Sequence, residues 1–337
     1  MRKISLSLFV LFLFIGSSLK AQQDPMYTMY MFNSLAYNPG FAGTPDYLSI
    51  RALYRNQWWG LEGGPTTQTI SIHSPFKERI GIGLNLVNDN VGATGSTVAS
   101  LSYAYRIPFG NGKLSIGLQA SAMNWRADWS VLKFKDPRLA DVAFEDLEPN
   151  RWMPNFGVGA FYYAQNYYIG LSVPHLMNAD LRVDNVNSDN RWAQTYRHFF
   201  LSAGATFPVS GDAVIFKPSF LLKSVGLLNN FTPDSKQLNQ VGAPTEFDID
   251  LAFMFYETLW IGASFRSAIQ AKQFGGDSSF DSVDLWATYY LGNGVRIGAA
   301  YDYTISKLQT HVGGSFEVML GYDFNYNAKG VTTPRYF

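Results

Sequence analysis

At 337 residues, with 26 Lys plus Arg against 26 Asp plus Glu, the chain is formally neutral, which argues against a nucleic-acid binder or a basic membrane-surface protein. Aromatic residues make up 16% and charged residues only 15%, a balance rich in aromatics and poor in charge for a soluble protein. There is no cysteine, so disulfide frameworks, thiol nucleophiles and cysteine metal sites are excluded together.

The first segment has Arg2 and Lys3 ahead of the apolar run Leu6 to Gly16, followed by Ser17, Ser18 and Ala21. It reads as a secretory signal peptide over residues 1–21. No later stretch is long and apolar enough for a spanning helix, which leaves strands as the means of crossing a membrane. Residues 22–45 contain Asp24-Pro25 and Asn38-Pro39-Gly40 but neither strand nor helix periodicity; they are expected to form an ordered leader inside or beneath a barrel.

From Asp46 onward fourteen candidate strands follow, near 47–55, 66–74, 79–88, 96–107, 113–126, 154–165, 167–174, 197–207, 213–223, 246–256, 258–267, 281–291, 295–304 and 310–324. The hairpin from Ser282 to Thr304 is the clearest. Val283, Leu285, Ala287 and Tyr289 alternate with Asp284, Trp286 and Thr288; after Gly292-Asn293-Gly294, Val295, Ile297, Ala299, Tyr301 and Tyr303 alternate with Arg296, Gly298, Ala300 and Asp302. A period of two puts these sets on opposite sheet faces, and about ten residues suffice for a tilted strand to cross a bilayer. The links are expected to alternate in length, short as at Pro75 to Glu78 and long as at Asp89 to Gly95, with Ile305 to Gln309 the one short link on the long side. This is the pattern of an outer-membrane barrel with periplasmic turns and external loops. The expected fold is therefore an all-β transmembrane barrel of about 14 antiparallel strands over residues 46–324, with a periplasmic tail over 325–337 and both termini periplasmic. A soluble β-sandwich also has alternating strands, but its loops need not alternate.

The polar face gathers charge: Lys217 and Lys223, then Glu246, Asp248 and Asp250, then Arg266 on three successive strands. Cross-strand ion pairs that stiffen one wall account for them; the functional alternative is a charged constriction or docking surface in the lumen. No catalytic, cofactor or metal site is expected. His73, His175, His198 and His311 are scattered, and no nucleophile elbow or phosphate loop is present. The carboxylates Asp141, Glu145, Asp146 and Glu148 lack the EF-hand order and read as a solvated loop. Gly81, Gly83, Gly157 and Gly159 read as room for inward-packed bulk. Trp58 and Trp59 follow a strand end, where indole suits either a membrane interface or a partner contact.

Three stretches go beyond a generic barrel. Gln22-Gln23-Asp24-Pro25-Met26-Tyr27 leads into Tyr30-Met31-Phe32-Asn33 and Asn38-Pro39-Gly40-Phe41-Ala42-Gly43; then come Tyr54-Arg55-Asn56-Gln57-Trp58 with Gly63-Gly64-Pro65-Thr66-Thr67-Gln68, and finally Pro334-Arg335-Tyr336-Phe337. In this order they resemble the PorP/SprF family of Bacteroidota outer-membrane proteins, associated with type IX secretion. The resemblance implies a non-enzymatic role in export or cell-surface attachment of large proteins with C-terminal sorting domains, such as gliding adhesins. It also implies contact with type IX components and peptidoglycan-associated periplasmic proteins. Trp58, Trp59 and the tail residues Pro334, Arg335, Tyr336 and Phe337 are the candidate partner contacts. The alternative is a passive or substrate-selective channel, which needs an open or gateable lumen.

Overall fold

A computed structural model describes residues 24–131, 150–178, 195–211, 213–225, 245–269 and 280–324. The expected signal segment 1–21, the tail 325–337 and the carboxylates Asp141, Glu145, Asp146 and Glu148 lie outside the described residues.

The strands are β1 (Ser49–Asn56), β2 (Thr66–Lys77), β3 (Ile80–Val91), β4 (Thr94–Phe109), β5 (Gly112–Ala127), β6 (Asn150–Tyr163), β7 (Tyr167–Val173), β8 (His198–Ala205), β9 (Phe207–Ser210), β10 (Val214–Val225), β11 (Glu246–Phe255), β12 (Leu259–Ala268), β13 (Phe280–Tyr290), β14 (Val295–Thr304) and β15 (Ser315–Asp323). β8 and β9 both pair with β10 and are two halves of one strand, broken at Thr206, so the ring holds fourteen strands. Each sequential neighbour pairs antiparallel, and β1 pairs with β15 from Ser49↔Asp323 to Asn56↔Phe316, which closes the barrel. Closure leaves no sheet edge with unpaired backbone, the condition for a sheet to exist in hydrocarbon.

Alternation decides which side chains meet lipid. On β4, Leu101, Tyr103, Tyr105 and Ile107 are exposed, while Ser100, Ser102, Ala104 and Arg106 are buried. On β13, Val283, Leu285 and Tyr289 face outward while Ser282, Asp284, Trp286 and Thr288 face in. Aromatics ring both rims: Tyr105, Phe109, Tyr167 and Tyr256 are exposed towards the short turns, and Trp59, Trp152, Phe280 and Tyr303 towards the long links. An apolar band between two aromatic girdles is the exterior of a membrane barrel.

Two expected links differ. The link from β3 to β4 is only Gly92 and Ala93, with the glycine at φ +57, because Asn88 to Asn90 and Gly95 to Thr97 pair as strand instead of forming a loop. Their polar side chains are tied together: Thr97 Oγ1 donates to Asn88 Oδ1 at 2.9 Å, and Arg126 donates to Thr97, Asn88 and Asn90 at 2.9, 3.0 and 2.9 Å. The 16 residues of β4 and of β5 exceed what a tilted strand needs to cross, so this corner stands beyond the bilayer. Conversely, the link from β14 to β15 is longer than expected: Lys307–Thr310 is a short 3₁₀ turn and strand begins at Ser315.

The leader fills the lumen as three 3₁₀ turns, Tyr30–Phe32, Ser34–Ala36 and Pro39–Phe41. At the third, Asn38 accepts from the Gly40 amide at 2.9 Å and Pro39 holds the first position, so the turn is capped locally. Tyr27 to Ala42 are buried save half-buried Ala36.

Candidate functional site: the occupied lumen

The leader does not stay at one end of the barrel. Asp24 lies at the long-link rim, where its amide donates to His198 Nε2 at 3.2 Å and its carbonyl accepts from Lys223 Nζ at 2.7 Å. Gly43 lies at the short-turn rim, where its carbonyl accepts from Arg106 at 2.6 Å while the same guanidinium holds the Lys77 and Glu78 carbonyls of the β2–β3 turn. Between these points the chain also crosses from wall to wall. Phe32 meets Trp260 and Trp286 edge-on, with ring centroids 6.2 and 5.4 Å away, and Phe41 meets Phe161 at 5.2 Å. β13 and β6 stand nearly opposite in the ring, so one segment spans the lumen in both directions. An even strand count puts both ends of the barrel itself at the short-turn rim, as expected. Because the leader doubles back, however, the first described residue, Asp24, lies at the long-link rim while β15 ends at the short-turn rim.

The wall is shaped for this occupant. A Cβ on Gly81 would collide with the Ala42 carbonyl, one on Gly117 with the Pro39–Gly40 peptide, and one on Gly159 with Asn38 Oδ1. Gly83 admits the Leu35 side chain, while Gly157 lies against the backbone of Pro174. Polar anchors supplement the fit: Ser172 Oγ donates to the Tyr37 carbonyl at 2.7 Å and Asn38 Nδ2 to the Ala160 carbonyl at 3.2 Å. The first satisfies a leader carbonyl that has no ladder of its own, and the second ties a leader side chain to β6.

One group of inner-wall charges lies where the barrel closes. Arg55 on β1 pairs with Asp302 on β14 and with Glu317 on β15 at 3.1 Å; none of the three side chains is more than 2% exposed. Glu317 accepts from the Thr28 and Met29 amides at 2.9 Å each, and the Thr28 hydroxyl donates to Asp302 at 2.7 Å and accepts from Arg55 at 2.8 Å. Nearer the other rim, Asp323 takes Arg51 at 2.7 Å and Arg296 at 3.1 Å. Sequence reasoning did not single out Arg51, Glu317 or Asp323, and it met Arg55 only inside the motif Tyr54-Arg55-Asn56-Gln57-Trp58. Their shared inward parity on the first and last strands was the available signal, because closure makes those strands neighbours.

Of the residues singled out from the sequence, five lie buried on the inner wall: Lys217, Lys223, Asp248, Asp250 and Arg266. Glu246 is half-buried and 3.4 Å from Lys223, with which it is in cross-strand register. Arg266 donates twice to Asp248, at 2.9 and 3.0 Å, and once to the Tyr27 carbonyl at 3.3 Å. Asp250 accepts from Ser264 Oγ, to which Trp286 Nε1 also donates at 3.1 Å. The Lys217 ammonium lies 5.1 Å from the Trp260 ring centroid and 5.9 Å from that of Phe32. Trp58 is half-buried with φ +56, and Trp59 is exposed. The Trp59 amide donates to the Gly314 carbonyl and its carbonyl accepts from the Gly313 amide, each at 2.7 Å, and its ring stands edge-on to Phe316 at 6.1 Å. The structure thus brings the wall charges to the leader and leaves the two tryptophans at the long-link rim. Pro334, Arg335, Tyr336 and Phe337 lie outside the described residues.

Between leader and wall, a cavity lined by Asp24, Pro25, Tyr27, Ser100, Gln119 and His175 has a volume of about 60 Å³. At about 10–15 Å³ of such space per water, it has room for a few waters. Among the described residues no group of three or more His, Asp or Glu is placed to hold a metal ion.

A family model described as type IX secretion system membrane protein PorP/SprF matches residues 19–322. No curated protein is similar enough in sequence to match. Among solved structures, the Acinetobacter baumannii outer membrane protein Omp33 is similar at 10% identity and a TM-score of 0.44, over 84% of this chain and 100% of that one. The Salmonella typhi OmpF complex with daunomycin gives 10% identity and a TM-score of 0.37, over 82% and 97%. The KdgM porin gives 10% and 0.36, over 82% and 99%.

Proposed function

Since the chain belongs to the PorP/SprF family of type IX secretion system membrane proteins, we propose that this outer-membrane barrel supports export or surface attachment of large proteins with C-terminal sorting domains, gliding adhesins among them, and does so without catalysing a reaction. The observation that carries this reading is the occupied lumen. Buried aromatics, buried ion pairs and backbone hydrogen bonds hold the leader in place, which favours a fixed platform over a conduit. A passive or substrate-selective channel needs a free path, and Phe161, Tyr163, Trp260 and Trp286 are buried about the segment that fills it.

In this reading the short turns face the periplasm and the long links face outward, as in other outer-membrane barrels. β15 then ends on the periplasmic side, where Pro334, Arg335, Tyr336 and Phe337 meet peptidoglycan-associated proteins or other type IX components. Trp59, exposed at the outer rim, is offered to the exported protein. The test is affinity purification of the tagged protein from native outer membranes in mild detergent, with mass spectrometry of what is retained. Recovery of a sorting-domain protein or of peptidoglycan-binding lipoproteins supports the role. A partner-free barrel in several mild detergents contradicts it. Removing Val331 to Phe337 is expected to abolish partner retention while leaving a folded barrel.

A further inference from the structure

We propose that the leader threads the barrel from its periplasmic rim to its outer rim and presents Asp24, Pro25 and Met26 at the cell surface, so that an exported partner meets them at the outer mouth. The inference rests on the orientation adopted above for its sign, but the threading itself is a matter of which rim each leader residue touches.

At the inner rim the thread is fixed by Gly43, whose carbonyl takes Arg106 and whose amide donates to His73 Nδ1 at 3.3 Å. β1 starts six residues later, at Ser49. At the outer rim every partner of Asp24 belongs to a strand end or link on the long side. His198 is the first residue of β8, Lys223 is two from the end of β10, and His175 follows β7 with its Nε2 3.6 Å from the Asp24 carboxylate. Thr28 and Met29, one turn deeper, are held by Glu317 and Asp302, two residues from the long-side ends of β15 and β14. Asp24, Pro25 and Met26 are the only leader residues before Tyr27 that the structure describes, and all three are half-buried where Tyr27 to Leu35 are wholly buried. The chain therefore gains exposure towards its start, at the long-link mouth. His198 fixes the direction: with Nε2 accepting the Asp24 amide, its Nδ1 donates to the Tyr196 carbonyl at 2.9 Å, so the neutral ring is held at both nitrogens.

Asp24 to Met26 at this mouth have two consequences. They offer a carboxylate and two half-buried apolar side chains at the side where a surface protein has to be met. They are also joined, through a lumen-locked segment, to the periplasmic rim, so a partner bound there is connected across the membrane without the barrel opening.

The absence of native cysteine makes the test direct. Single variants Asp24→Cys, Glu62→Cys in the β1–β2 link and Asn293→Cys in the β13–β14 turn are labelled with a membrane-impermeant maleimide on whole cells and again after permeabilisation. Only folded barrels, selected by heat-modifiable gel mobility, are scored, and Pro25→Cys replaces Asp24→Cys if the latter fails that selection. The expected result is equal labelling of Asp24→Cys and Glu62→Cys before and after permeabilisation, with Asn293→Cys labelled only afterwards. Labelling of Asp24→Cys only after permeabilisation while Glu62→Cys reacts on whole cells, or no labelling of it in either state, overturns the threading. Whole-cell labelling of Asn293→Cys alone overturns instead the orientation on which the proposed function relies, and with it the surface position of Asp24 to Met26.

Discussion

Glu317 accepts the backbone amide of Thr28 at 2.9 Å, tying the leader to the last strand at the seam where that strand meets the first. The same carboxylate serves Met29 and Arg55, so one side chain joins plug, closing strand and ion pair. Glu317→Gln keeps the shape but removes the charge and turns one acceptor into a donor facing an amide. Breaking one partner of a buried pair costs roughly 3–5 kcal/mol. Urea unfolding in lipid vesicles should fall by about that much. Thr28→Ala, which removes a hydroxyl from the same cluster, should cost about 1–3 kcal/mol, and the double variant less than the sum because the two share partners.

The wall glycines predict a different phenotype. In Gly117→Ala or Gly81→Ala the new methyl enters space held by leader backbone, and no rotamer relieves it. Overpacking of this kind costs about 1–3 kcal/mol. The strands remain paired, so the strain is expected to loosen the leader's fit: a folded, heat-modifiable barrel whose residues 24–44 are cleaved faster by protease than in the parent. Gly292→Ala, with nothing within 4 Å of the added atom, should leave the leader protected.

These two sites differ in how far they could be read from sequence. Val283, Leu285 and Tyr289 alternating with Asp284, Trp286 and Thr288 announce a strand with one lipid face, and the same period elsewhere locates all fourteen strands. The inward parity of Lys223, Asp248 and Arg266 was equally visible. What period cannot supply is partnership at a distance. Arg55 and Glu317 are 262 positions apart and become neighbours only on closure. The leader has no period at all, so its route through the lumen had no local signal. Asn88 to Thr97 misled for the opposite reason: polar, loop-like residues extend a hairpin into water, where strand pairing needs no apolar face.

The exterior should tolerate charge only at its margins. Leu285, 64% exposed at the middle of β13, lies on the lipid face. Leu285→Arg should cost about 2–4 kcal/mol of membrane stability, whereas Phe109→Arg at the end of β4 should cost about 0–1 kcal/mol. Folding titrations in vesicles distinguish the two.

Trp59 offers a separation of stability from binding. Its position is fixed by backbone bonds to Gly313 and Gly314, which a Trp59→Ala substitution leaves intact. Gel mobility and vesicle insertion should therefore change little, while recovery of the exported partner drops. Unchanged recovery with weakened insertion would assign the ring to the membrane interface instead.

The central claim is that the lumen is occupied by the chain itself and is not a conduit. The most direct measurement is the conductance of the purified, folded barrel in planar lipid bilayers. A silent baseline after verified insertion is the predicted result, with leader residues still protected from protease. A sustained, porin-like open conductance from the intact chain would contradict the account and identify the protein as a channel.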